Sequence, residues 1–370
     1  MLWERPPLFR KWRKLYICIA KNASDHMENF IWNPGTLLET SGYYWRTCTL
    51  HAAVRLDIFT LIGTGGKTAR QVSDELKADL RGLTMLLNAL SALQLLKKDG
   101  EIYLNTEPAE MFLSKSSETY TGFMIMHHYH LLESWYHMPE AILSGKPTRE
   151  RSSFSDEERR ESFLMGMFNI GMATAPKVAK EINLTGCTRL LDMGGGPGTF
   201  AIHFCMANPD LEAVVFDLET TRPFAEKTIA RFSLEDRVKF FPGDFTTDTP
   251  QEGEPFDAAW LSHVLHGEGP DQAQKVIAHA IKALKPGSRI FIHEFILDDT
   301  FDGPLFPALF SLNMFLGTPQ GQSYSQQQLS DMLTAFGCTD ITRHSFVGPT
   351  QSGILSAKTA DRCSFQKSGD

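Results

Sequence analysis

Paired cysteines are missing from this sequence. Its 370 residues include six cysteines that are widely scattered, and no two of them form a CxxC motif. This excludes the cysteine density of a small secreted fold that is stapled by disulfides. We therefore expect reduced thiols, in a cytoplasmic protein, at Cys18, Cys48, Cys187, Cys205, Cys338 and Cys363.

Long hydrophobic runs and an excess of positive charge are missing as well. The N-terminal apolar stretch LYICIA (15–20) is too short for a signal-peptide core or a membrane span. We expect residues 1–30 to form an arm that packs against another surface, and we expect no membrane partner. The formal net charge of -8 gives no global basic field, which argues against nucleic acid as the main partner.

The chain is long enough for two domains, and 42% hydrophobic residues suffice for their cores. The pattern of helix-like and strand-like segments predicts a helical domain at 31–115, connecting helices at 116–180, an α/β domain at 181–358 and a tail at 359–370. The connecting residues are rich in Met, His and aromatics, which favours core packing over a metal site because the HHYH motif lacks the spacing of zinc ligands.

The first domain has the pattern of a winged helix. Thr68 and Asp79 can each cap a following helix, and LKKDGEIYLN predicts two short strands around the Asp99-Gly100 turn. The candidate recognition helix, LRGLTMLLNALSALQLL (80–96), offers one arginine among many leucines. An apolar helix of this kind favours a protein partner over DNA, so we predict a dimerisation domain.

Beyond residue 186, strand-like and helix-like segments alternate. This texture predicts a parallel sheet that is covered by helices on both faces. The last two strand-like segments, TDITRHSFV and GILSAKTA, are expected to pair at the edge of the sheet.

A glycine-rich loop, LLDMGGGPGTF (190–200), connects the first of these strands to a helix. Glycines at such a position let the backbone approach a nucleotide-like cofactor closely. Gly194, Gly196 and Gly198 fit a GxGxG pattern, whereas Thr199 stands where a dinucleotide-binding loop needs glycine. A P-loop is excluded because GGKT at 65–68 is preceded by leucine at position 61.

Carboxylates at successive strand ends predict what this loop binds. Asp192 favours a cationic ligand group, and S-adenosylmethionine carries an ammonium and a sulfonium. Asp217, nineteen residues past Gly198, stands where a carboxylate accepts both ribose hydroxyls. Asp244 and Phe245 follow the next strand and can bond and cover an adenine.

The motifs LDMGGGPGTF, VVFDL, PGDF, LSHVLH and HEF occur in this order behind the winged-helix region. This arrangement resembles the caffeate-type O-methyltransferase family, in its bacterial branch with polyketide, carotenoid and phenazine enzymes, over roughly residues 30 to 358. The resemblance implies a seven-stranded, Rossmann-like class I methyltransferase domain, S-adenosylmethionine as donor with S-adenosylhomocysteine as product, and a homodimer formed through the N-terminal domain. The implied donor site comprises Asp192, Gly194, Gly195, Gly196, Gly198, Asp217, Leu218, Asp244, Phe245 and Ser262.

Two histidines in SHVLHGEGPD (262–271) are candidates for a base, a metal pair or structural residues. His266 matches the family's catalytic histidine, and Glu294 matches the acidic residue that orients it. His263 is expected to pack or to form hydrogen bonds, and His293 to point to the opposite face of its strand. We expect no metal, because the sequence offers no HExxH motif and no cysteine near the histidines.

Several positions depart from the family pattern. Gly267, Glu268 and Gly269 replace the Asp-Trp of many relatives, Ser323 replaces a second acidic residue, and Ser262 stands where plant enzymes often have lysine. These changes argue against a phenylpropanoid enzyme of the plant type. The resemblance places an acceptor pocket for a flat, apolar and aromatic molecule at Trp135, Met165, Phe168, Asn169, Met172, Asn313 and Met314.

Other functions stay open from the sequence. A winged-helix regulator could use the cofactor domain as a sensor, although its candidate recognition helix is poor in basic residues. An enzyme on this scaffold could also methylate carbon or nitrogen, or use the cofactor without methyl transfer. An NAD-dependent dehydrogenase is weakened by Thr199.

Overall fold

The computed structural model describes residues 31–151, 156–251 and 253–361. The expected N-terminal arm, Cys18, Cys363 and most of the expected tail lie outside the described residues. Contacts divide the chain into two units: a first unit up to Leu132 with Asp156–Ala173, and a second unit with the described residues of 133–155 and those from Thr174 onward. Residues 116–180, which we expected to connect two domains, are shared between the two units.

The first unit combines helices with a small antiparallel sheet whose strand order is β1-β3-β2. Its elements are α1 (Pro34–Gly42), α2 (Tyr44–Arg55), α3 (Ile58–Ile62), β1 (Lys67–Thr68), α4 (Ala69–Leu76), α5 (Leu80–Ala92), β2 (Leu96–Asp99), β3 (Ile102–Asn105) and α6 (Glu107–Leu113). Two longer helices, α7 (Gly122–Tyr136) and α9 (Glu157–Glu181), each begin in this unit and end in the second, and α8 (Met138–Ser144) lies between them in the chain.

Local sequence signals account for these elements. Thr68 forms a capping box with Gln71 at the start of α4, and the Asp79 carboxylate accepts the Gly82 amide at the start of α5. The predicted caps are therefore confirmed, and each satisfies amides that a helix N-terminus leaves without partners. The predicted hairpin is confirmed too, because β2 pairs with β3 in antiparallel register and Gly100 adopts a left-handed φ of 56° in the turn.

The second unit is built on a seven-stranded sheet in the order β6-β5-β4-β7-β8-β10-β9. Strands β4 to β8 pair in parallel, and β10 runs antiparallel to both β8 and β9. Its elements are β4 (Arg189–Met193), α10 (Thr199–Ala207), β5 (Glu212–Asp217), α11 (Arg222–Arg231), β6 (Val238–Pro242), β7 (Phe256–Ser262), α12 (Pro270–Lys282), β8 (Leu284–Glu294), α13 (Leu305–Gly317), α14 (Gln326–Ala335), β9 (Thr339–Arg343) and β10 (Gly353–Lys358).

The parallel sheet and its closing pair of strands are as predicted, and helices cover both faces. Neighbouring residues of β4 enter different apolar clusters: Leu190 packs in a cluster with Ile202 of α10, and Leu191 in a cluster with Ile277 of α12. Side chains alternate across a strand, so a strand buried on both faces reads as a continuous apolar run. Within the three described ranges, no helix is long and apolar enough to cross a membrane.

The strand order reverses between β4 and β7, which are neighbours although β5 and β6 lie between them in the chain. Open parallel sheets bind ligands beside the carboxyl ends of their strands at such a reversal. The fold therefore directs attention to the segments that follow β4, β5, β6, β7 and β8.

Candidate active site

Three strand ends meet at the glycine loop after β4. Gly194, Gly196 and Gly198 have φ values of 67°, 54° and 76°, a left-handed conformation that glycine adopts without the steric cost of a Cβ. A Cβ at Gly194 would lie 2.5 Å from Val264 Cγ2 and 3.3 Å from Phe245 Cε1. The loops after β4, β6 and β7 therefore converge, and glycine is required at the point where they touch.

Asp192 provides a buried carboxylate behind this loop. The side chain is 1% exposed, its Oδ2 accepts the Ala201 amide at 3.2 Å, and its Oδ1 has no hydrogen-bond partner among the described residues. Burial, reinforced by the charge of Asp217 and opposed by the Ala201 amide, raises the pKa of Asp192 to about 7. A cationic ligand group placed here would favour the ionised carboxylate. Glycine at position 195 leaves room for the Asp192 carboxylate, because a Cβ there would lie 2.6 Å from Asp192 Cγ.

Asp217 ends β5 and is bonded to its own loop. Its Oδ2 accepts the Gly196 amide at 2.8 Å, and its Oδ1 accepts the Leu218 amide at 2.7 Å and the Thr221 hydroxyl at 3.0 Å. Burial raises the pKa of Asp217. A carboxylate offers about four acceptor positions, so one further donor fits as the loop stands. From the sequence we expected Asp217 to accept both ribose hydroxyls. For that, the second hydroxyl has to replace the Gly196 amide as a donor to Asp217 Oδ2.

The remaining residues expected at the donor site have structural partners as well. Asp244 Oδ1 accepts the Thr246 amide at 2.9 Å and the Thr246 hydroxyl at 2.6 Å, so Asp244 also shapes its turn. The Phe245 carbonyl accepts a hydrogen bond from His279 Nδ1 at 3.1 Å. Ser262 Oγ lies 3.0 Å from His293 Nδ1, which ties its hydroxyl to the interior of the sheet.

His266 and Glu294 form a close pair. The Nδ1–H of His266 donates to Glu294 Oε2 at 2.6 Å, and Glu294 Oε1 accepts the Leu265 amide at 2.8 Å. Burial alone would raise the pKa of this 2% exposed carboxyl, but its interactions with His266 and His263, of which that with His266 is the larger, outweigh burial and lower the pKa well below its ordinary value. Because an ionised carboxylate only accepts, the proton of a neutral His266 lies on Nδ1 and leaves the Nε2 lone pair available.

His263 faces the same carboxylate without a hydrogen bond to it. Its Nδ1 is 3.7 Å from Glu294 Oε2 and is buried without a hydrogen-bond partner among the described residues. The backbone is left-handed, with a φ of 57°, and the His263 amide donates to the His293 carbonyl at 2.8 Å. Burial lowers the pKa of His263, which favours its neutral form.

His293 is buried and bonded on both ring nitrogens. Its Nδ1 lies 3.0 Å from Ser262 Oγ and its Nε2 3.0 Å from Ser352 Oγ. Burial lowers the pKa of His293 well below its ordinary value. His293 is therefore a neutral residue in the interior of the sheet, and it takes no part in the hydrogen bond between His266 and Glu294.

A model of the O-methyltransferase domain matches residues 141–339, and a model of the O-methyltransferase dimerisation domain matches residues 38–115. The chain belongs to the O-methyltransferase family. It is 31% identical over 333 residues to the 3-hydroxy-5-methyl-1-naphthoate 3-O-methyltransferase of Streptomyces sahachiroi, covering 88% of this chain and 96% of that protein. It is 30% identical over 276 residues to the N,N-dimethyltransferase OxyT of Streptomyces rimosus, covering 71% of this chain and 78% of that protein.

A solved O-methyltransferase family protein from Burkholderia thailandensis superposes with a TM-score of 0.79 at 28% identity, covering 90% of this chain and 99% of that one. The chain is therefore an S-adenosylmethionine-dependent O-methyltransferase with a class I catalytic domain and a dimerisation domain, as the resemblance implied. Two features fit S-adenosylmethionine as the donor: the unpartnered Oδ1 of Asp192 can accept from its cationic end, and the glycine at position 194 leaves space where three loops converge. The regulator and the dehydrogenase, considered from the sequence, are thereby set aside.

An aromatic wall stands beside His266 in this methyltransferase. The Phe310 ring meets the His266 imidazole edge-on at 4.7 Å between centroids, and Phe295 packs on Phe310 at 4.4 Å and on Phe306 at 5.0 Å. Phe306 is 36% exposed, so the outer end of the wall is open to solvent. We did not single out these phenylalanines from the sequence, although Phe295 directly follows Glu294.

Arg151 braces the loop that carries His266. Its guanidinium pairs with Glu268 Oε1 at 2.6 Å and also donates to the Gly267 carbonyl. The Glu268 carboxylate, one of the departures from the family pattern, is thus committed to an ion pair. Ser323 does not stand in for a second acid either, because its hydroxyl donates to the Pro307 carbonyl at 2.9 Å.

The residues expected to line the acceptor pocket are divided between the two units. In the second unit, Asn313 Oδ1 accepts hydrogen bonds from Trp135 Nε1 at 3.3 Å and from Arg149 at 3.0 Å, and Met314 is buried. The first unit carries Met165, Phe168, Asn169 and Met172. Of these, Phe168, Asn169 and Met172 are buried, and the Asn169 side chain donates to the Tyr120 carbonyl at 2.9 Å. Their assembly into one pocket stays a prediction.

The structure places a third candidate metal ligand beside the two histidines. Metal was not expected from the sequence because a third ligand was lacking near His263 and His266. Glu294 supplies that ligand, since one donor atom from each of the three residues lies within 4.8 Å of the other two. A third candidate ligand, which the sequence does not show beside the two histidines, is therefore present in the folded chain.

Proposed function

We propose that this methyltransferase moves the methyl group of S-adenosylmethionine to a hydroxyl of an aromatic or polyketide-like small molecule, with His266 as general base and Glu294 orienting it. The observation that carries the proposal is the 2.6 Å hydrogen bond from His266 Nδ1 to a buried, ionised carboxylate. The naphthoate-methylating relative supports an aromatic acceptor.

The reaction needs one proton acceptor and one aligned nucleophile. Bound S-adenosylmethionine supplies an electrophilic methyl group and a neutral thioether leaving group. The Nε2 lone pair of His266 takes the proton of the acceptor hydroxyl as its oxygen forms the new bond to the methyl carbon. Glu294 stabilises the imidazolium that results, because its carboxylate stays on Nδ1 throughout.

The donor is held by the loops at the strand ends in this proposal. Asp192 faces the cationic end of the donor, Asp217 accepts a ribose hydroxyl, and Asp244 with Phe245 holds the adenine. The backbone of the glycine loop can approach the donor closely because it has no side chains at Gly194, Gly195, Gly196 and Gly198. The proposed donor-binding surface is completed by Leu218 and Ser262.

The acceptor is held by apolar and aromatic surface. We assign it to the wall of Phe295, Phe306 and Phe310 beside His266, because flat rings pack on such faces. The predicted residues Trp135, Asn313 and Met314 belong to the same unit as this wall and complete the proposed site there. The roles of Met165, Phe168, Asn169 and Met172 stay predictions. The Asn313 side chain is already bonded there to Trp135 and Arg149.

A labelling experiment tests the reaction. The protein is incubated with S-adenosylmethionine carrying a deuterated methyl and with an extract of the source cells, and products are read by mass spectrometry. We expect a labelled small molecule whose formation falls by about 10²-fold or more in His266→Ala, with donor binding retained. His137→Ala, at an exposed position, is the matched control. An unchanged rate in His266→Ala would remove the base assignment.

Nitrogen is a second candidate nucleophile. The relative OxyT is an N,N-dimethyltransferase at 30% identity, so the relatives at this level of identity include one that methylates nitrogen. The position of the label, read by NMR of the isolated product, separates the two cases. A methyl on nitrogen would overturn the hydroxyl acceptor and leave the donor site in place.

We also propose a homodimer formed through the N-terminal domain, in the cytoplasm. Helix α1 contains no buried residue, and Leu37, Leu38, Tyr44 and Trp45 are all more than half exposed. Large apolar side chains exposed close together in the chain favour a protein interface, and the dimerisation-domain match indicates a second copy as its occupant. The cysteines at 48, 187, 205 and 338 are free thiols, which supports a reducing compartment.

A further inference from the structure

Two imidazoles and one carboxylate converge at the catalytic loop. One donor atom each from His263, His266 and Glu294 lies within 4.8 Å of the other two. Two histidines and one glutamate are a ligand set that zinc uses in proteins, with a fourth position left to water. The side chains of His266 and His263 are 13% and 20% exposed, whereas that of Glu294 is 2% exposed. An ion can thus approach from the histidine side and meet a buried negative charge.

The position of His263 is fixed by its backbone. Its left-handed φ of 57° and its amide bond to the His293 carbonyl hold the residue in place, and its ring packs against Phe295 at 4.3 Å between centroids. The buried Nδ1 that faces Glu294 has no hydrogen-bond partner among the described residues. Its 3.7 Å separation from Glu294 Oε2 is close to the roughly 3.4 Å between two ligands of a tetrahedral zinc ion. The 2.6 Å between His266 Nδ1 and Glu294 Oε2 is shorter than this ligand separation, so the His266 ring must move away from the carboxylate when an ion binds.

We propose that His263, His266 and Glu294 bind a divalent transition-metal ion, zinc by preference, and that the bound ion switches the methyltransferase off. The ion takes the Nδ1 lone pairs of His263 and His266 and an oxygen of Glu294. The hydrogen bond from His266 to Glu294 is replaced by two bonds to the metal.

Inhibition follows from the chemistry of the imidazole. A neutral imidazole has one ring nitrogen that carries a proton and one that carries a free lone pair. When the metal occupies Nδ1 of His266, the proton moves to Nε2 without net proton release. Nε2 then donates instead of accepting, so it cannot take the proton of an acceptor hydroxyl. This consequence rests on the proposed function of His266, but metal binding itself does not.

Binding is measured first, without any turnover. Full-length protein is freed of metal with a chelator and titrated with Zn²⁺ by calorimetry and with Co²⁺ by visible absorption, which reports four-coordinate geometry. We expect one ion per chain in the wild type. In His263→Asn we expect at least 100-fold weaker binding, because asparagine tolerates a left-handed φ but does not replace the imidazole ligand. His344→Asn, at a histidine bonded to Ser356, is the matched control and should bind like the wild type.

Turnover is measured next, with each variant compared with its own metal-free rate. We expect Zn²⁺ to inhibit the wild type and the His344→Asn control, a chelator to restore activity, and His263→Asn to require at least 100-fold more Zn²⁺ for the same inhibition. Equal binding by His263→Asn and the wild type would overturn the site, as would a wild type that binds no ion. If His263→Asn does not fold, as judged by circular dichroism, His266→Asn replaces it in the binding experiment.

The two measurements separate this site from the proposed function. Tight binding that depends on His263, in a protein with no transferase activity, would leave the metal site standing and remove the proposed function. An active enzyme whose rate is unaffected by an ion bound through His263 would overturn the inhibitory switch.

Discussion

Buried carboxylates in this methyltransferase are tuned in opposite directions by their neighbours. Asp192 and Asp217 are buried near one another, and burial raises the pKa of both. Glu294 is equally buried, yet its interactions with the neighbouring histidines keep its pKa low. Burial disfavours a charge, and donors or opposite charges restore it. Asp192 and Asp217 therefore lack an opposite charge that a cationic ligand can supply, whereas Glu294 already has the two neighbouring histidines.

Donor binding should weaken in acid because of Asp192. Its pKa of about 7 in the free protein means that the carboxyl gains a proton as the pH falls below 7, while the cationic donor favours the ionised form. Asp217, whose pKa is also raised, adds to the same trend. We expect Kd for S-adenosylmethionine to rise by up to about tenfold per pH unit below 7, measured by calorimetry between pH 8 and 5.5.

Asp192→Asn is the control for this pH dependence. It should bind the donor more weakly at pH 8 and lose most of the dependence below pH 7, because the titrating group is gone. A wild-type Kd that is constant from pH 8 to 5.5 would contradict the role of Asp192.

At the level of elements, local signals in the sequence predicted most of the fold. Caps, glycines and apolar periodicity are read within a few residues, so the hairpin at Asp99-Gly100 and the parallel strands were predictable. Contacts between distant segments leave no such signal. Arg151 reaches Glu268 across 117 positions, and Phe310 contacts His266 from helix α13. The His266–Glu294 pair was predicted only through the family resemblance.

The loop carrying His266 should depend on the Arg151–Glu268 ion pair. Glu268 is 9% exposed, so Arg151→Gln leaves a carboxylate desolvated without its partner, which costs about 2 kcal/mol of stability. We expect kcat to fall by roughly tenfold, since small displacements of a base are costly, with KM for the donor little changed. Steady-state kinetics well below Tm, together with thermal unfolding, check both effects.

Arg222→Gln is the matched control for the loop, because Arg222 pairs with Glu219 and Glu226 on exposed surface. Such pairs contribute about 0–1 kcal/mol, so kcat and Tm should hardly change. If Arg151→Gln lowered Tm but kept full kcat, Arg151 would be a stabilising residue without influence on His266.

At the level of the whole molecule, the exposed apolar side chains of α1 and the start of α2 predict an interface with a second copy of the chain. Leu38 is 75% and Trp45 69% exposed, and large apolar side chains at this exposure anchor interfaces. The double variant Leu38→Glu/Trp45→Glu places two like charges in that face. We expect the wild type to sediment as a dimer and the variant to dissociate with a Kd at least about 100-fold higher, measured by analytical ultracentrifugation.

Leu143→Glu is the control for the dimer. Leu143 is 88% exposed but lies outside the residues matched by the dimerisation domain, so this variant should remain dimeric. A dimer that persists unchanged in Leu38→Glu/Trp45→Glu would place the interface elsewhere on the chain. A wild type that is monomeric at micromolar concentration would remove the homodimer. An exposed apolar surface that no partner covers promotes association with other surfaces. Because the glutamates replace Leu38 and Trp45 in the double variant, we expect its dissociated chains to aggregate less than dissociated wild-type chains, which still expose both apolar side chains.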